Sequence, residues 1–176
     1  MKKLFLFSFL FISLSLAKAN AFLPFGLNAG LRFGNSSNNK ESKARDIKKD
    51  SKFFVAPNIN FRLFSLRGEL EYIYRHNFLK INNSSVRAET VMANLYYNFF
   101  DIYLAKLYVN GGYGNTKFTG AGSHENKNTF SVGLGANISL FDALNVDAGY
   151  RYINMGKINS VRQDSHDIYV GFRIGF

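Results

Sequence analysis

Six arginines and four carboxylates stand where alternating segments bring them onto one surface. They are Arg32, Arg62, Arg67, Arg75, Arg151 and Arg173, with Glu69, Glu71, Asp147 and Asp167. Residues two apart in a strand share a face. Opposed charges gathered on one face either line a path for ions or neutralise one another, and in a confined, poorly hydrated space they should pair. The expected cluster joins Glu69 and Glu71 to Arg62 on the preceding strand and to Arg151 from across the space.

Other chemistry finds less support. The histidines are His76, His124 and His166, and there is no cysteine, so neither a disulfide framework nor a thiolate metal site is available. His76 and His124 sit in or beside polar stretches, too isolated for a metal centre. Ser165-His166-Asp167 has the composition of a hydrolytic triad. Strand neighbours point in opposite directions, however, and a triad requires convergence. The glycine-rich stretches GGYG (111–114) and GLG (133–135) lie inside alternating runs, so a phosphate-cradle reading fails on context. No catalytic, cofactor-binding or metal-ligating residue is assigned, and no cofactor is expected.

The segment NSSNNKESKARDIKKDSK (35–52) holds six basic and three acidic residues. Solvation by water is its simplest explanation; contact with anionic lipopolysaccharide headgroups or host glycans is the sharper one. Nucleic acid is not expected as a partner.

The elements that carry these residues are strands. Period-two alternation occupies 26–34, 53–64, 66–75, 89–100, 106–114, 130–141, 144–154 and 166–176, eight segments mostly of 9–12 residues. Long polar connections at 35–52, 76–88, 115–128 and 155–165 alternate with tight ones near 65, 101–105 and 141–143. That rhythm predicts an all-β fold: an eight-stranded up-and-down antiparallel transmembrane β-barrel. A soluble lipocalin-type barrel alternates in the same way. The polar faces argue against it. They hold Asn28, Gly30, Asn58, Asn60, Asn94, Gly112, Gly114, Gly133 and Gly135, residues suited to a cramped interior rather than to a charged, water-facing exterior.

The apolar faces read as lipid contacts. Phe33, Phe53, Tyr74, Phe130 and Tyr152 fall toward the long loops, with Phe25, Phe99 and Phe176 toward the short turns, and aliphatic residues lie between. Two aromatic girdles around an aliphatic band match a bilayer's headgroup and hydrocarbon zones. Pro57, on the lipid face of the second strand, removes a ladder donor and predicts a local bulge.

Residues 1–21 read as a secretory signal: Lys2 and Lys3, an apolar run from Leu4 to Leu16, then small residues offering cleavage after Ala19 or Ala21. Residues 22–176 are then the barrel, about 155 residues and one domain. Losing Lys2, Lys3 and Lys18 lowers the net charge from +10 to +7.

The final octet, YVGFRIGF, resembles the assembly signal of bacterial outer-membrane proteins, with Tyr169, Gly171, Ile174 and Phe176 in its places. RGELEYIYR (67–75), LYVNGGYG (107–114) and VDAGYRYINMG (146–156) resemble the small outer membrane β-barrel family that includes opacity-type and OmpA-type domains. With the signal, the resemblance covers essentially the whole chain. It implies periplasmic termini and insertion by the barrel-assembly machinery through that last strand, and it carries no shared catalytic residues.

The expectation is therefore a monomeric outer-membrane protein of a Gram-negative bacterium. Its partners are outer-membrane lipids and lipopolysaccharide, the assembly machinery, and a host or environmental ligand at the loops. Its role is structural or adhesive, with the lumen plugged by side chains. A small-solute porin-like channel and a lipid A-modifying barrel enzyme are the alternatives; the second needs Ser and His at compatible spacing on one lipid-facing surface, and no such pair stands out. Deleting Phe176, or replacing it with Ser, should slow assembly and leave precursor in the periplasm. Normal barrel levels in the mutant would remove the assembly-signal reading.

Overall fold

The computed structural model of the protein describes residues 25–39, 52–81, 84–102, 105–120, 123–141, 143–158 and 161–175. The signal segment, most of the basic 35–52 segment and Phe176 lie outside the described residues. Eight strands follow one another: β1 (Phe25–Asn39), β2 (Lys52–Leu63), β3 (Leu66–Ile81), β4 (Ser84–Ile102), β5 (Ala105–Gly120), β6 (Ser123–Phe141), β7 (Leu144–Ile158) and β8 (Val161–Gly175). Each pairs antiparallel with its neighbours, and β8 returns to β1 to close a barrel in sequence order. The closing seam runs from Asn28↔Gly175 to Asn39↔Asp164, as the alternation of the last segment leads one to expect.

Walking from partner to partner measures the stagger. Asn28 leads to Asn60, Glu69, Asn94, Gly112, Ser131, Ile153 and Ser165, and the circuit returns to β1 at Asn38, ten residues from its start. Such a stagger tilts eight strands by about 40° and leaves an interior that side chains can fill.

The strands outrun the expected segments. The stretches 76–88, 115–128 and 155–165, expected as loops, are almost wholly β3–β4, β5–β6 and β7–β8 hairpin, with only 82–83, 121–122 and 159–160 outside the described strands. Alternation does not stop there; it changes phase. On β4 the outward positions pass from Leu95 and Val91 to Glu89 and Arg87, while the inward ones pass from Tyr96 and Asn94 to Ala88 and Val86. On β5, Tyr113 gives way outward to Asn115 and Lys117 as Phe118 turns inward and is buried. Beyond the lipid, water wets the outer face, and apolar side chains gain by moving inside.

Below that boundary the outward face is apolar, including Leu31, Ile59, Leu70, Val91, Leu95, Val132, Leu134, Ile168 and Val170. At its long-hairpin edge Phe33 stacks on Phe53 with ring centroids 6.2 Å apart, and Phe130 meets Tyr152 edge-on at 6.5 Å. At the other edge Phe61, Phe64, Tyr97, Phe99 and Phe100 are exposed. Phe64 begins the two-residue β2–β3 turn at φ 52°, a left-handed conformation that bulky residues seldom adopt.

The bulge expected at Pro57 is absent. Ala56 and Pro57 drop out of the β2–β3 ladder, but Val55↔Tyr74 and Asn58↔Glu71 keep one register, and Leu31↔Pro57 persists on the β1 side. The missing donor costs bonds to one neighbour without shifting the strand. Register shifts fall elsewhere, near strand ends: at Arg75/Leu79, Asn98/Phe100, Ser139/Phe141 and Asn154/Lys157.

Strand β6 tests the lipid boundary within one ladder, because Leu134 and Asn126 share its outward face and both are exposed. Leu134→Arg should cost about 2–4 kcal/mol in a lipid-vesicle folding assay, whereas Asn126→Arg should cost about 0–1 kcal/mol. Equal costs would misplace the boundary.

Candidate functional site in the barrel lumen

Of the ten arginines and carboxylates expected to face the lumen, nine are buried there: Arg32, Arg67, Arg75, Arg151, Arg173, Glu69, Glu71, Asp147 and Asp167. They form one connected lattice. Arg32 grips Glu69 with two parallel bonds, Nη1 to Oε1 and Nη2 to Oε2, both 2.6 Å, and its Nη1 also donates to Glu71 Oε1 at 3.0 Å. Arg151 ties Glu71 (2.5 Å) to Asp167 (3.4 Å), and Arg75 reaches Asp167 at 2.7 Å. Toward the short-turn end, Arg173 binds Asp147 at 2.6 and 3.0 Å, with Arg67 3.6 Å and Arg32 3.7 Å from the same carboxylate.

Neutral groups complete the lattice. Asn94 Nδ2 donates to Glu69 and Glu71 at 3.0 and 3.1 Å, and the Tyr96 hydroxyl donates to Glu69 at 2.7 Å. The hydroxyls of Ser36 and Ser165 both donate to Asp167 Oδ1 at 2.6 Å. Arg67 stacks on the Tyr96 ring at 3.9 Å, where the cation meets the negative ring face. Tyr108 and Tyr169 share a hydroxyl bond of 3.0 Å.

Space for these large groups comes from lumenal glycines. A Cβ on Gly171 would lie 2.6 Å from Arg32 Cγ, and one on Gly135 would collide with the Tyr108 ring. Glycine on one strand is thus the seat of an arginine or tyrosine from another, which sharpens the expectation of a merely small-residue interior.

Arg62 departs from expectation. It is exposed at the short-turn rim, pairs across the ladder with Arg67, and places its Nε 3.7 Å from where a Gly26 side chain would begin. Arg32, from β1, takes the place beside Glu69 that was assigned to it. At the last turn of a strand, parity sets the face but leaves the side chain free to reach water. The predicted partnership of Glu71 with Arg151 is present. Asn94 was expected on the inner face but not as a partner of Glu69 and Glu71, and Tyr96 and Tyr108, which parity with Asn94 and Asn110 turns inward, were not expected in the lattice.

The Ser165-His166-Asp167 stretch divides as strand geometry requires. Ser165 and Asp167 bond to each other inside, while His166 lies outside, hydrogen-bonded through Nδ1 to the Tyr150 hydroxyl and with its ring 5.4 Å from Tyr152. His76, also outward, lies 3.5 Å from the Tyr74 hydroxyl. The side chain of His124 is outside those described. Every buried carboxylate of the lattice is held by at least one guanidinium, an arrangement that fixes strands relative to one another.

Toward the long-hairpin end the lumen turns apolar. Phe54, Ala56, Ile73, Val86, Ala88, Met92, Phe118, Ile153 and Met155 form one buried cluster, with Tyr169 at its base. Thr90, Thr116 and Thr129 cross it as a chain of hydroxyls 2.8 and 2.6 Å apart. From the lattice, Arg75 and Asp167 rise into it, with Arg75 lying 5.4 Å from the Phe54 ring.

Known proteins share this architecture. Neisserial surface protein A superposes with a TM-score of 0.71 at 19% identity, covering 88% of this chain and 98% of that one. Ail, the attachment invasion locus protein of Yersinia pestis, gives 0.51 at 15% identity, covering 84% and 98%. In sequence, the outer membrane protein PagN of Salmonella typhimurium is 34% identical over 104 residues, covering 49% of this chain and 44% of PagN. The chain thus spans less than half the length of that relative. Across residues 4–176 it matches the outer membrane protein beta-barrel domain, and with a closed, lipid-banded barrel of eight strands it belongs to that family as a protein of the bacterial outer membrane.

Proposed function

We propose that this barrel is a membrane-anchored adhesin: a closed scaffold, without catalytic function, that presents its hairpins and basic loop to anionic surfaces. The observation that carries the reading is the continuation of β3–β6 past the aromatic edge as paired hairpins with polar outer faces. A long hairpin held in the barrel's own ladder is a pre-ordered surface, and pre-ordering lowers the entropic cost of binding. The segment 35–52 adds Lys40, Lys43, Arg45, Lys48, Lys49 and Lys52, which suits a sulfated glycan or the phosphates of lipopolysaccharide. The name of Ail marks it as an attachment protein, and one structure of Ail holds the heparin analogue sucrose octasulfate; a similar anionic ligand, held at the hairpins and basic loop, is the natural reading here.

The buried lumenal side chains, charged and apolar together, support a plugged lumen rather than a pore. The chain works as a monomer, exported by its leader and inserted through the signal at Tyr169, Gly171, Ile174 and Phe176.

Three measurements test this. The purified barrel should bind immobilised heparin or host cells. Exchanging the basic residues of 40–52 for Gln should weaken that binding and flatten its salt dependence; undiminished binding would move the ligand site elsewhere. In planar bilayers the unmodified protein should show no steady conductance, and a large ion-selective current would make the channel the better reading. Glu71→Ala removes the shorter of Arg151's two carboxylate contacts and one of Arg32's, so it should lower the stability of the folded barrel by about 3–5 kcal/mol, less where water reaches the vacated space.

A further inference from the structure

We infer that the lumen is a blind vestibule open toward the periplasm, and that the apolar layer beneath the long hairpins, not the ion-pair lattice, is what bars ions. The inference rests on the plugged-anchor reading and locates its barrier.

Three observations converge. First, the inward positions of four strands change character in the same direction. On β2 Asn60 and Asn58 give way to Ala56 and Phe54; on β4 Tyr96 and Asn94 give way to Met92, Ala88 and Val86. On β5 Tyr108 and Asn110 lead to Thr116 and Phe118, and on β7 Asp147 and Arg151 lead to Ile153 and Met155. These apolar side chains form a continuous cluster, all 4% exposed or less. The threonine hydroxyls that cross it bond to one another and so make little demand for water.

Second, unmet hydrogen-bonding capacity is confined to the other side. Among the described residues, the buried side-chain atoms without a hydrogen-bond partner are Arg32 Nε, Arg67 Nε and Nη2, Arg151 Nε, Asn60 Oδ1, Asn94 Oδ1, and both polar atoms of Asn110. All belong to the lattice or its periplasmic approach. Groups of this kind draw water in.

Third, the two mouths differ. Arg62 is exposed and Lys106 half-buried at the short-turn rim, whereas at the opposite side Val86, Phe118 and Met155 are buried and the inward charges of Lys127 and Glu125 are paired with each other. In outer-membrane barrels short turns face the periplasm. Water and ions can therefore approach the lattice from the periplasm, and stop at the apolar cluster, where the polar groups that enter it (Arg75, Asp167 and the three threonines) already bond to one another or to neighbouring serines. A constriction lined this way excludes ions by dewetting.

The test separates the layer from the lattice. In planar bilayers, Glu71→Ala should stay as silent as the unmodified barrel, while Phe118→Ser combined with Met155→Ser should open discrete conductance steps. Current from Glu71→Ala alone would overturn this inference and leave the anchor reading standing; current from the unmodified protein would overturn the anchor reading itself. A folded double variant that stays silent also defeats the layer. If the double variant does not fold, thiol reactivity decides, because the chain has no cysteine of its own. Single Asn145→Cys, Asn110→Cys and Thr116→Cys variants, checked as folded by heat-modifiable gel mobility, would be treated in detergent with a small charged thiol reagent. Reactivity should fall in that order, by about tenfold or more from the first to the last. A Thr116→Cys variant that reacts as fast as Asn145→Cys would show the layer to be wet and refute the inference.

Discussion

Hydrocarbon offers a peptide group no hydrogen-bond partner, so a sheet that crosses a bilayer must close on itself. Here the β1–β8 seam meets that demand, and the rest of the molecule follows from how few strands meet it. Eight strands with a ten-residue stagger leave an interior about as wide as its side chains. Whatever faces inward is thereby removed from bulk water. A charged residue in that space must find its opposite, and five buried arginines and four buried carboxylates do so in one lattice. Closure of the backbone and pairing of the charges are two results of one geometric limit.

Much of this was legible in sequence because period-two alternation is a local signal. A barrel strand repeats it with a single phase while lipid lies on one side. The strand number, the inward turn of Arg32, Arg67, Arg75, Arg151 and Arg173, and the partnership of Glu71 with Arg151 all follow from parity. So does the separation of His166 from Ser165 and Asp167. What parity cannot supply is distance. It could not tell that Arg62, one residue from the end of β2, would lie at the rim, or that Arg32 would be the group beside Glu69.

The hairpin extensions were hidden for a different reason. Segments such as NTKFTG (115–120) and SVRAET (85–90) are polar by composition, and polar composition is the usual mark of a loop. Their alternation persists with its meaning reversed, apolar inward and polar outward. An isolated reading averages the two phases away. The apolar lumenal layer disappeared with them, since Val86, Ala88, Phe118 and Met155 all lie in stretches that composition assigns to loops.

The seating of Arg32 on Gly171 bears on the order of folding events. Arg32 belongs to the first strand, Gly171 to the last, and the carboxylates that Arg32 grips to β3 and β7. Until the seam closes, that guanidinium has no lattice to enter and remains hydrated. The Arg32 ion pairs are thus made only as the seam closes, whereas a pair such as Arg173–Asp147 joins neighbouring strands and needs no seam. Interactions absent from a transition state slow unfolding rather than speed folding. In this barrel Arg32 acts chiefly as a latch on a sheet already closed, setting how long a finished molecule lasts rather than how quickly one is made.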